Sequence, residues 1–188
     1  MSLLEIVAVL VSVATVALTI ARALLCWPVG LLSVALYAKV FFDARLYSDM
    51  LLQGFFALMM VYGWIGWRRD QAQSGAVRVA DGLSWRGWLA GLSAGALGTV
   101  LLGGVMARFT DAAVPWLDAG LTSYSLVAQY WTARQRVANW WLWIGVDLVY
   151  TGLFLWKALY LTAGLYAAFV VMAVLGLRRW QGAARAAA

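Results

Sequence analysis

The chain has 188 residues, of which 65% are hydrophobic and only 12% are charged, and its mean hydropathy is +0.83. A soluble domain of this size can neither expose nor bury so much apolar surface, so the composition predicts a chain surrounded by lipid. One helix needs about 20 residues to span roughly 30 Å of hydrocarbon, which limits the chain to about seven or eight spans and leaves no room for a soluble domain.

The residue types that most chemistry needs are scarce in this sequence. It has one cysteine, Cys26, and no histidine, so it lacks an internal disulfide partner and the commonest metal ligand and general base. It contains no phosphate-binding loop and no nucleophile-elbow motif. We therefore expect that the chain is not an enzyme and needs no cofactor or metal. An intramembrane enzyme that works from carboxylates alone remains as a rival interpretation.

Apolar runs separated by charged or turn-forming residues predict seven transmembrane helices. Their lengths suit helices, since barrel strands would alternate apolar and polar residues over about ten positions. The first run has no basic residue before it and carries Glu5 near its start, unlike a cleavable signal peptide, so we expect a retained first helix. The sequence thus predicts an all-α membrane protein. The predicted spans are residues 3–21, 24–42, 46–67, 88–107, 118–134, 139–157 and 158–179.

Basic residues are distributed unevenly between the two sides of the predicted bundle. If the N-terminus faces outward, ten of the fourteen lie on the inner side. Cytoplasmic loops accumulate Lys and Arg, so we expect the N-terminus outside and the C-terminus inside. No basic patch is interleaved with aromatic residues in a soluble element, so nucleic acid is not an expected partner. The inner residues are Arg22, Arg68, Arg69, Arg78, Arg86, Arg134, Arg136, Arg178, Arg179 and Arg185.

The chain repeats itself at a shift of 113 residues. Residues 27–67 match residues 140–180 without gaps at 11 of 41 positions. Internal repeats of this kind are frequent in transporters. The sequence therefore predicts two related three-helix units. Matched pairs include Trp27 with Trp140, Tyr37 with Tyr150, Gly63 with Gly176 and Trp67 with Trp180.

One span stands between the two predicted units. Three helices alone would leave the second unit inverted, whereas a linker helix restores its orientation and makes the repeats parallel. The predicted organisation is a first three-helix repeat at 1–67, a cytoplasmic loop at 68–87, a linker helix at 88–107, a second three-helix repeat at 114–180 and a C-terminal tail at 181–188.

A charged residue near the centre of the sixth predicted span is the leading candidate for function. A carboxylate such as Asp147 costs about 2.5–3.5 kcal/mol at this depth, and intramembrane charges usually serve function. Asn139, Trp143 and Tyr150 share its helical face, which offers an amide, an indole, a carboxylate and a phenol to a solute. The alternative is that Asp147 is protonated or bonded to another helix and only holds the bundle together.

Polar and aromatic residues on other spans complete the predicted solute-binding set. Amides donate and accept hydrogen bonds, which suits the uncharged edge of a solute, although each could instead bond another helix. Most tryptophans, including Trp64, Trp67 and Trp180, are expected in belts at the membrane interface. Trp140 and Trp143 are instead candidates for stacking on a flat ring. The other candidates are Ser33 and Tyr37 in the second span, Gln53 and Trp64 in the third, and Ser125 and Gln129 in the fifth.

Two stretches resemble the PnuC family of vitamin transporters. They read WPVGLLSVALYAKVFFDARLYSDMLLQGFFALMMVYGWIGW in the first half and VANWWLWIGVDLVYTGLFLWKALY in the second. The features that carry the resemblance are the pair Leu46-Tyr47 with Gln53 and Phe55-Phe56, the run from Tyr62-Gly63-Trp64 to Trp67, and the run from Asn139-Trp140 to Trp143.

The resemblance implies a three-plus-one-plus-three, SWEET-like fold that assembles as a homotrimer in the bacterial inner membrane. It also implies facilitated diffusion of nicotinamide riboside or a similar vitamin. In that family a cytosolic kinase phosphorylates the arriving solute, so no ion gradient is needed. The implied partners are the vitamin and membrane lipid.

The resemblance also implies asparagine where this chain has Ser33, Met60, Asp147 and Leu175. Fewer amides and an added carboxylate favour a cationic solute with few hydroxyl partners, such as thiamine. Family members that import thiamine or riboflavin keep the choice of vitamin open. A rival from another class is an accessory subunit that captures a vitamin for a separate ATP-driven module.

Overall fold

The structure is a computed structural model that describes residues 3–43, 47–80, 82–110 and 114–186. The chain is helical throughout these ranges, apart from short turns and one isolated bridge between Ala80 and Arg136. The all-helical prediction is therefore confirmed. The helices are Leu3–Ile20 (α1), Cys26–Asp43 (α2), Tyr47–Ser74 (α3), Trp85–Phe109 (α4), Pro115–Ala133 (α5), Asn139–Trp156 (α6) and Tyr160–Ala186 (α7).

The helices overlap all seven predicted spans and differ from them chiefly at their ends. α3 and α7 run on to Ser74 and Ala186, whereas hydropathy predicts ends at residues 67 and 179. Hydropathy marks where apolar residues stop, but i to i−4 hydrogen bonds carry a helix beyond the lipid. The predicted start of the third span, residue 46, lies outside the described residues, as do residues 187 and 188 of the predicted tail.

Membrane-spanning character is clearest in four of the described helices. α1, α2, α4 and α7 are each long and apolar enough to cross a bilayer. The other three carry the most polar of the candidate side chains, among them Gln53 in α3, Gln129 in α5 and Asp147 in α6. Such residues lower the apolar content of a helix, and they suit a helix that lines a path inside a bundle.

Six of the helices close into a ring. Contacts follow the order α1, α2, α3, α5, α6 and α7, and α7 returns to α1. α4 packs on α5 and contacts no other described helix. Its first turn is capped by the Ser84 side chain, which accepts a hydrogen bond of 3.2 Å from the Gly87 backbone N–H. The contact order thus closes on itself, and α4 lies outside the ring.

The shift of 113 residues found in the sequence also relates the helices to one another. It moves Cys26–Asp43 onto Asn139–Trp156 at both ends, and it moves the start of Tyr47–Ser74 onto Tyr160. The turns that follow α1 and α5 also match, because Arg22 and Gln135 both have left-handed backbones, with φ of 59° and 57°. Equivalent sequence positions therefore adopt equivalent local structure in the described parts of the two halves.

Two tryptophans are buried by packing against a glycine of the same half. A Cβ at Gly63 would overlap the indole of Trp27, and a Cβ at Gly176 would lie 2.6 Å from three ring atoms of Trp140. Trp27 and Trp140 are only 1% and 2% exposed. Glycine allows an indole to approach the helix backbone directly, so each pair joins two consecutive helices of its half closely.

Two further tryptophans tie the halves together. The indole N–H of Trp67 in α3 donates to the Thr132 carbonyl in α5 at 3.3 Å, and that of Trp180 in α7 donates to the Thr19 carbonyl in α1 at 3.2 Å. These bonds are equivalent under the shift. Trp67 and Trp180 also contact each other, with ring centroids 5.9 Å apart. We call Trp27, Trp67, Trp140 and Trp180 the tryptophan cluster.

The burial of Trp67 and Trp180 corrects one expectation. Both side chains are 0% exposed, so the prediction that they belong to an interface belt is wrong. An indole that lies near the end of a helix can face either lipid or a neighbouring helix, and sequence position does not distinguish the two. The edge-to-face contacts of Trp27 with Trp67 at 5.1 Å and of Trp140 with Trp180 at 5.3 Å account for the burial.

We predict that Gly63→Ala destabilises the protein. The new methyl group would overlap the Trp27 ring, and overpacking of this kind costs about 1–3 kcal/mol. Thermal unfolding of the purified protein in detergent should show a lowered Tm. Gly54→Ala in the same helix is the matched control, because a Cβ there meets nothing within 4 Å. Equal melting temperatures for the two variants would contradict the packing argument.

Candidate solute-binding site

Asp147 lies near the middle of α6, and the residue is 7% exposed. The ion pair found in the described part of the chain joins Lys39 to Asp43, so no described cation pairs with Asp147. A carboxylate at membrane depth is costly unless a charge or a hydrogen bond compensates it. The position therefore suits a carboxylate that meets a cation arriving from outside the protein.

Tyrosine side chains lie near the carboxylate. Tyr150 lies one turn further along α6, and its ring centroid is 4.7 Å from that of Tyr166 in α7. The Tyr166 hydroxyl is within electrostatic range of Asp147, Tyr150 and Tyr37. We call Tyr37, Asp147, Tyr150 and Tyr166 the carboxylate–tyrosine cluster. Its hydroxyl groups and ring faces come from both halves of the ring.

Ser33 and Tyr37, both predicted from the second span, meet a residue of α1 that sequence reasoning missed. The hydroxyl oxygens of Ser33 and Ser12 are 2.7 Å apart, and the Tyr37 hydroxyl also bonds Ser12. Ser12 in turn donates to the Ala8 carbonyl at 2.9 Å. The sequence could have pointed to Ser12 through its match with the candidate Ser125 at the shift of 113 residues. It could have pointed to Tyr166 in the same way, through its match with the candidate Gln53.

Gln129 and Ser125 are buried on one face of α5. The Gln129 side chain is 6% exposed, and its amide Nε2 lies 3.5 Å from the sulfur of Met60 in α3. A thioether is a weak acceptor, so this amide keeps hydrogen-bonding capacity for another group. The Trp143 indole N–H points to the same region and lies 3.4 Å from the Thr132 hydroxyl. These residues form a second polar group within the ring.

Asn139 and Trp140 occupy a different position from Asp147. They stand eight and seven residues before it on α6, or about 10–12 Å along the helix axis. The Asn139 side-chain N–H donates to the Arg136 carbonyl at 2.6 Å, and Trp140 belongs to the tryptophan cluster. The Asn139 side-chain oxygen is buried and has no hydrogen-bond partner among the described residues. The structure therefore does not bring these two side chains to the carboxylate.

The two remaining candidates lie on α3. Gln53 is half-buried. Trp64 is half-buried as well and packs against the tryptophan cluster. Neither side chain has a described polar partner that ties it to Asp147.

The arginine-rich end of the ring is closed in this structure. The Gln135 side-chain amide donates to the Asp70 carboxylate, and Arg134 donates to the Tyr62 hydroxyl at 3.4 Å. The segment around Ala80 also crosses this end, since its N–H donates to the Gln135 carbonyl at 3.0 Å. All of these contacts join α3 and its following loop to the turn after α5. We call them the arginine-end closure.

Buried polar and ionisable side chains within a bundle of membrane helices are typical of membrane transport proteins. A family profile described as nicotinamide mononucleotide transporter matches residues 2–182. The chain belongs to this family, the PnuC family, as its motifs predict. Membership makes it a multi-pass transporter of the bacterial inner membrane.

Individual relatives support the same assignment. The nicotinamide riboside transporter PnuC of Escherichia coli K12 is 29% identical over 182 residues, which cover 83% of this chain and 75% of the relative. The riboflavin/roseoflavin transporter RibM of Streptomyces davaonensis is 30% identical over 169 residues, covering 88% and 78%. A crystal structure of the vitamin B3 transporter PnuC superposes with a TM-score of 0.79 at 25% identity, covering 98% of this chain and 83% of that one.

We predict that breaking the arginine-end closure exposes Cys26. This thiol is 2% exposed and packs in the same core cluster as Trp67 and Val77, beneath the closing loop. Gln135→Ala removes the bond to Asp70, so the loop should open more often and N-ethylmaleimide should label Cys26 several times faster. Asp43→Asn is the control, because it breaks an exposed ion pair far along the chain from the closure. Equal labelling rates in both variants would contradict this assignment.

Proposed function

We propose that this protein is a facilitative transporter that imports a small vitamin such as nicotinamide riboside across the bacterial inner membrane. The observation that carries the proposal is the buried carboxylate of Asp147, which pairs with no cation among the described residues and lies near tyrosine side chains of the ring. The names of the relatives supply the solute class, since both nicotinamide riboside and riboflavin are vitamins.

The charge of Asp147 favours a cationic solute over a neutral one. Nicotinamide riboside and thiamine each carry a fixed positive charge on an aromatic ring, whereas riboflavin carries none. A cation next to Asp147 would offset the cost of holding the carboxylate at this depth. The faces of Tyr150 and Tyr166 would add cation–π attraction, about 0.5–2 kcal/mol at each ring. Nicotinamide riboside is thus the first candidate and thiamine the second.

A neutral vitamin is favoured by a different observation. RibM, named as a riboflavin/roseoflavin transporter, is as similar to this chain as the PnuC relatives are. Riboflavin would use the aromatic faces and the amide of Gln129 but would gain little from Asp147. The change in affinity for each solute when the Asp147 charge is removed therefore distinguishes the candidate vitamins.

We assign the solute-binding roles by position within the ring. Asp147 pairs with the solute charge, while Tyr37, Tyr150 and Tyr166 stack on its ring or bond its hydroxyl groups. Asn139 and Trp140 support the tryptophan cluster and do not contact the solute in this assignment. The remaining predicted positions contribute at the edges of the path: Ser33, Gln53, Trp64, Ser125, Gln129 and Trp143.

The proposed topology has seven spans, an outward N-terminus, an inward C-terminus and two parallel three-helix repeats joined by α4. The arginine-end closure then lies on the cytoplasmic side, and alternating access arises when one half rocks against the other about the tryptophan cluster. No nucleotide-binding element drives this motion, so the solute moves down its gradient. Phosphorylation of the solute in the cytosol would keep that gradient inward. A homotrimer remains an expectation that mass measurement in detergent tests.

We predict that the purified protein in liposomes passes labelled nicotinamide riboside without any partner or nucleotide. Flux should saturate and should be inhibited by the unlabelled solute. If the protein binds the vitamin but gives no flux, the accessory-subunit interpretation replaces the transporter. If the solute emerges chemically changed, the enzymatic interpretation replaces it.

We further predict that Asp147→Asn weakens binding of a cationic vitamin about 10- to 100-fold, since truncating one partner of a buried charge pair costs 2 kcal/mol or more. Isothermal titration with nicotinamide riboside, thiamine and riboflavin measures the effect. Riboflavin binding should change little. Asp118→Asn, in the first turn of α5, is the matched control. Unchanged affinity for the cationic vitamins would disprove charge pairing while leaving the transport proposal intact.

A further inference from the structure

A groove of about 610 Å³ runs between α3 and α4 over the outer face of α5. It lies outside the ring, because the α5 residues that line it are on the opposite face from Ser125 and Gln129. Leu126, Val127 and Tyr130 form its floor. The groove is therefore separate from the proposed solute path.

Small residues on α4 give the groove its depth. Ala90 and Ala94 form part of one wall of the groove. Phe55 and Met59 of α3 form the opposite wall. Since α4 contacts no described helix besides α5, no helix of the described chain fills the space. A long apolar channel that opens sideways from a membrane helix bundle faces the lipid acyl chains.

Two arginines stand at one end of the groove. Arg134 and Arg136 both line it, and none of the described lining residues is acidic. Arg134 donates to the Tyr62 hydroxyl and Arg136 to the Gly82 carbonyl, each at 3.4 Å, so both guanidinium groups are held near the opening. Asp70, a carboxylate near Arg134, already accepts a bond from Gln135. Among the described residues at this end of the groove, two arginines thus outnumber the one nearby carboxylate, and the balance of charge is positive.

The depth of these arginines matches the lipid headgroups. Trp85 and Trp88 lie at the same end of α4, and Trp85 is 68% exposed. Exposed tryptophans near a helix end mark the interface between hydrocarbon and water. Arg134 and Arg136 would then meet phosphate, while Ala90 and Ala94 lie at the depth of the acyl chains.

We propose that this groove binds an anionic phospholipid, with one acyl chain between α3 and α4 and the headgroup phosphate on Arg134 and Arg136. Basic pockets between helices on the cytoplasmic side are suited to anionic headgroups. The assignment to the cytoplasmic leaflet rests on the proposed topology, whereas the binding itself does not depend on transport. The lipid would fill the space that keeps α4 apart from α3.

Native mass spectrometry with titrated palmitoyl-oleoyl phosphatidylglycerol and phosphatidylcholine tests the proposal. We expect phosphatidylglycerol to be retained and phosphatidylcholine to be lost. The double variant Arg134→Gln with Arg136→Gln should weaken phosphatidylglycerol binding by about tenfold or more, given about 1 kcal/mol per basic residue. Ala94→Phe should also abolish binding, because it fills the groove while leaving both arginines in place.

The matched control is Arg178→Gln with Arg179→Gln, which removes two exposed arginines from the same end of the ring but outside the groove. Equal binding of the two lipids overturns the proposal, and so does an equal loss of lipid in the control. If Ala94→Phe keeps the lipid and instead separates an oligomer, the groove is an interface between copies of the chain. Flux measurements play no part in the test, so its failure is distinct from failure of the proposed function.

Discussion

The ring depends on the two indole N–H bonds that Trp67 and Trp180 make to the opposite half. Their acceptors, the carbonyls of Thr132 and Thr19, lie in the last turns of α5 and α1, and each also accepts a backbone N–H from the following turn, of Gln135 at 2.9 Å and of Arg22 at 3.0 Å. Lipid supplies no hydrogen bonds, so a buried indole N–H needs an acceptor within the protein, and a carbonyl oxygen has a second lone pair to offer. One tryptophan from each half provides a partner for the other half.

The tryptophan cluster also explains how two related halves form one frame although some of their inner residues differ. Each half repeats the packing of an indole on a glycine, which joins its second and third helices. The candidate site residues are repeated only in part, since Tyr37 corresponds to Tyr150 and Ser12 to Ser125 but other positions differ. Asp147 corresponds to Val34, and Tyr166 corresponds to Gln53. If the proposed solute binds here, a symmetric frame with an asymmetric lining would present different chemistry to its two ends and would favour one orientation.

The arginine-rich end combines three structural roles within a short distance. The tryptophan cluster lies just inside it, the arginine-end closure covers it, and the lateral groove opens beside it at Arg134. Arg134 contributes to both the closure, through Tyr62, and the groove. A lipid that bound Arg134 would therefore compete with or reinforce a contact of the closure. The proposed lipid and the proposed opening of the path would then be coupled through Arg134.

Membrane class, seven helices and family could all be predicted from the linear chain, because apolar runs and local motifs are properties of the sequence. Asp147 and Tyr150 could be chosen as candidates in the same way, since a charge in an apolar helix and a neighbour one turn away are both visible in sequence. Tertiary structure alone decided which side chains meet. Ser12 and Tyr166 joined the site through contacts between helices, and Trp67 and Trp180 turned inward from their expected belt. Helical periodicity assigns a residue to a face, but only packing decides what that face meets.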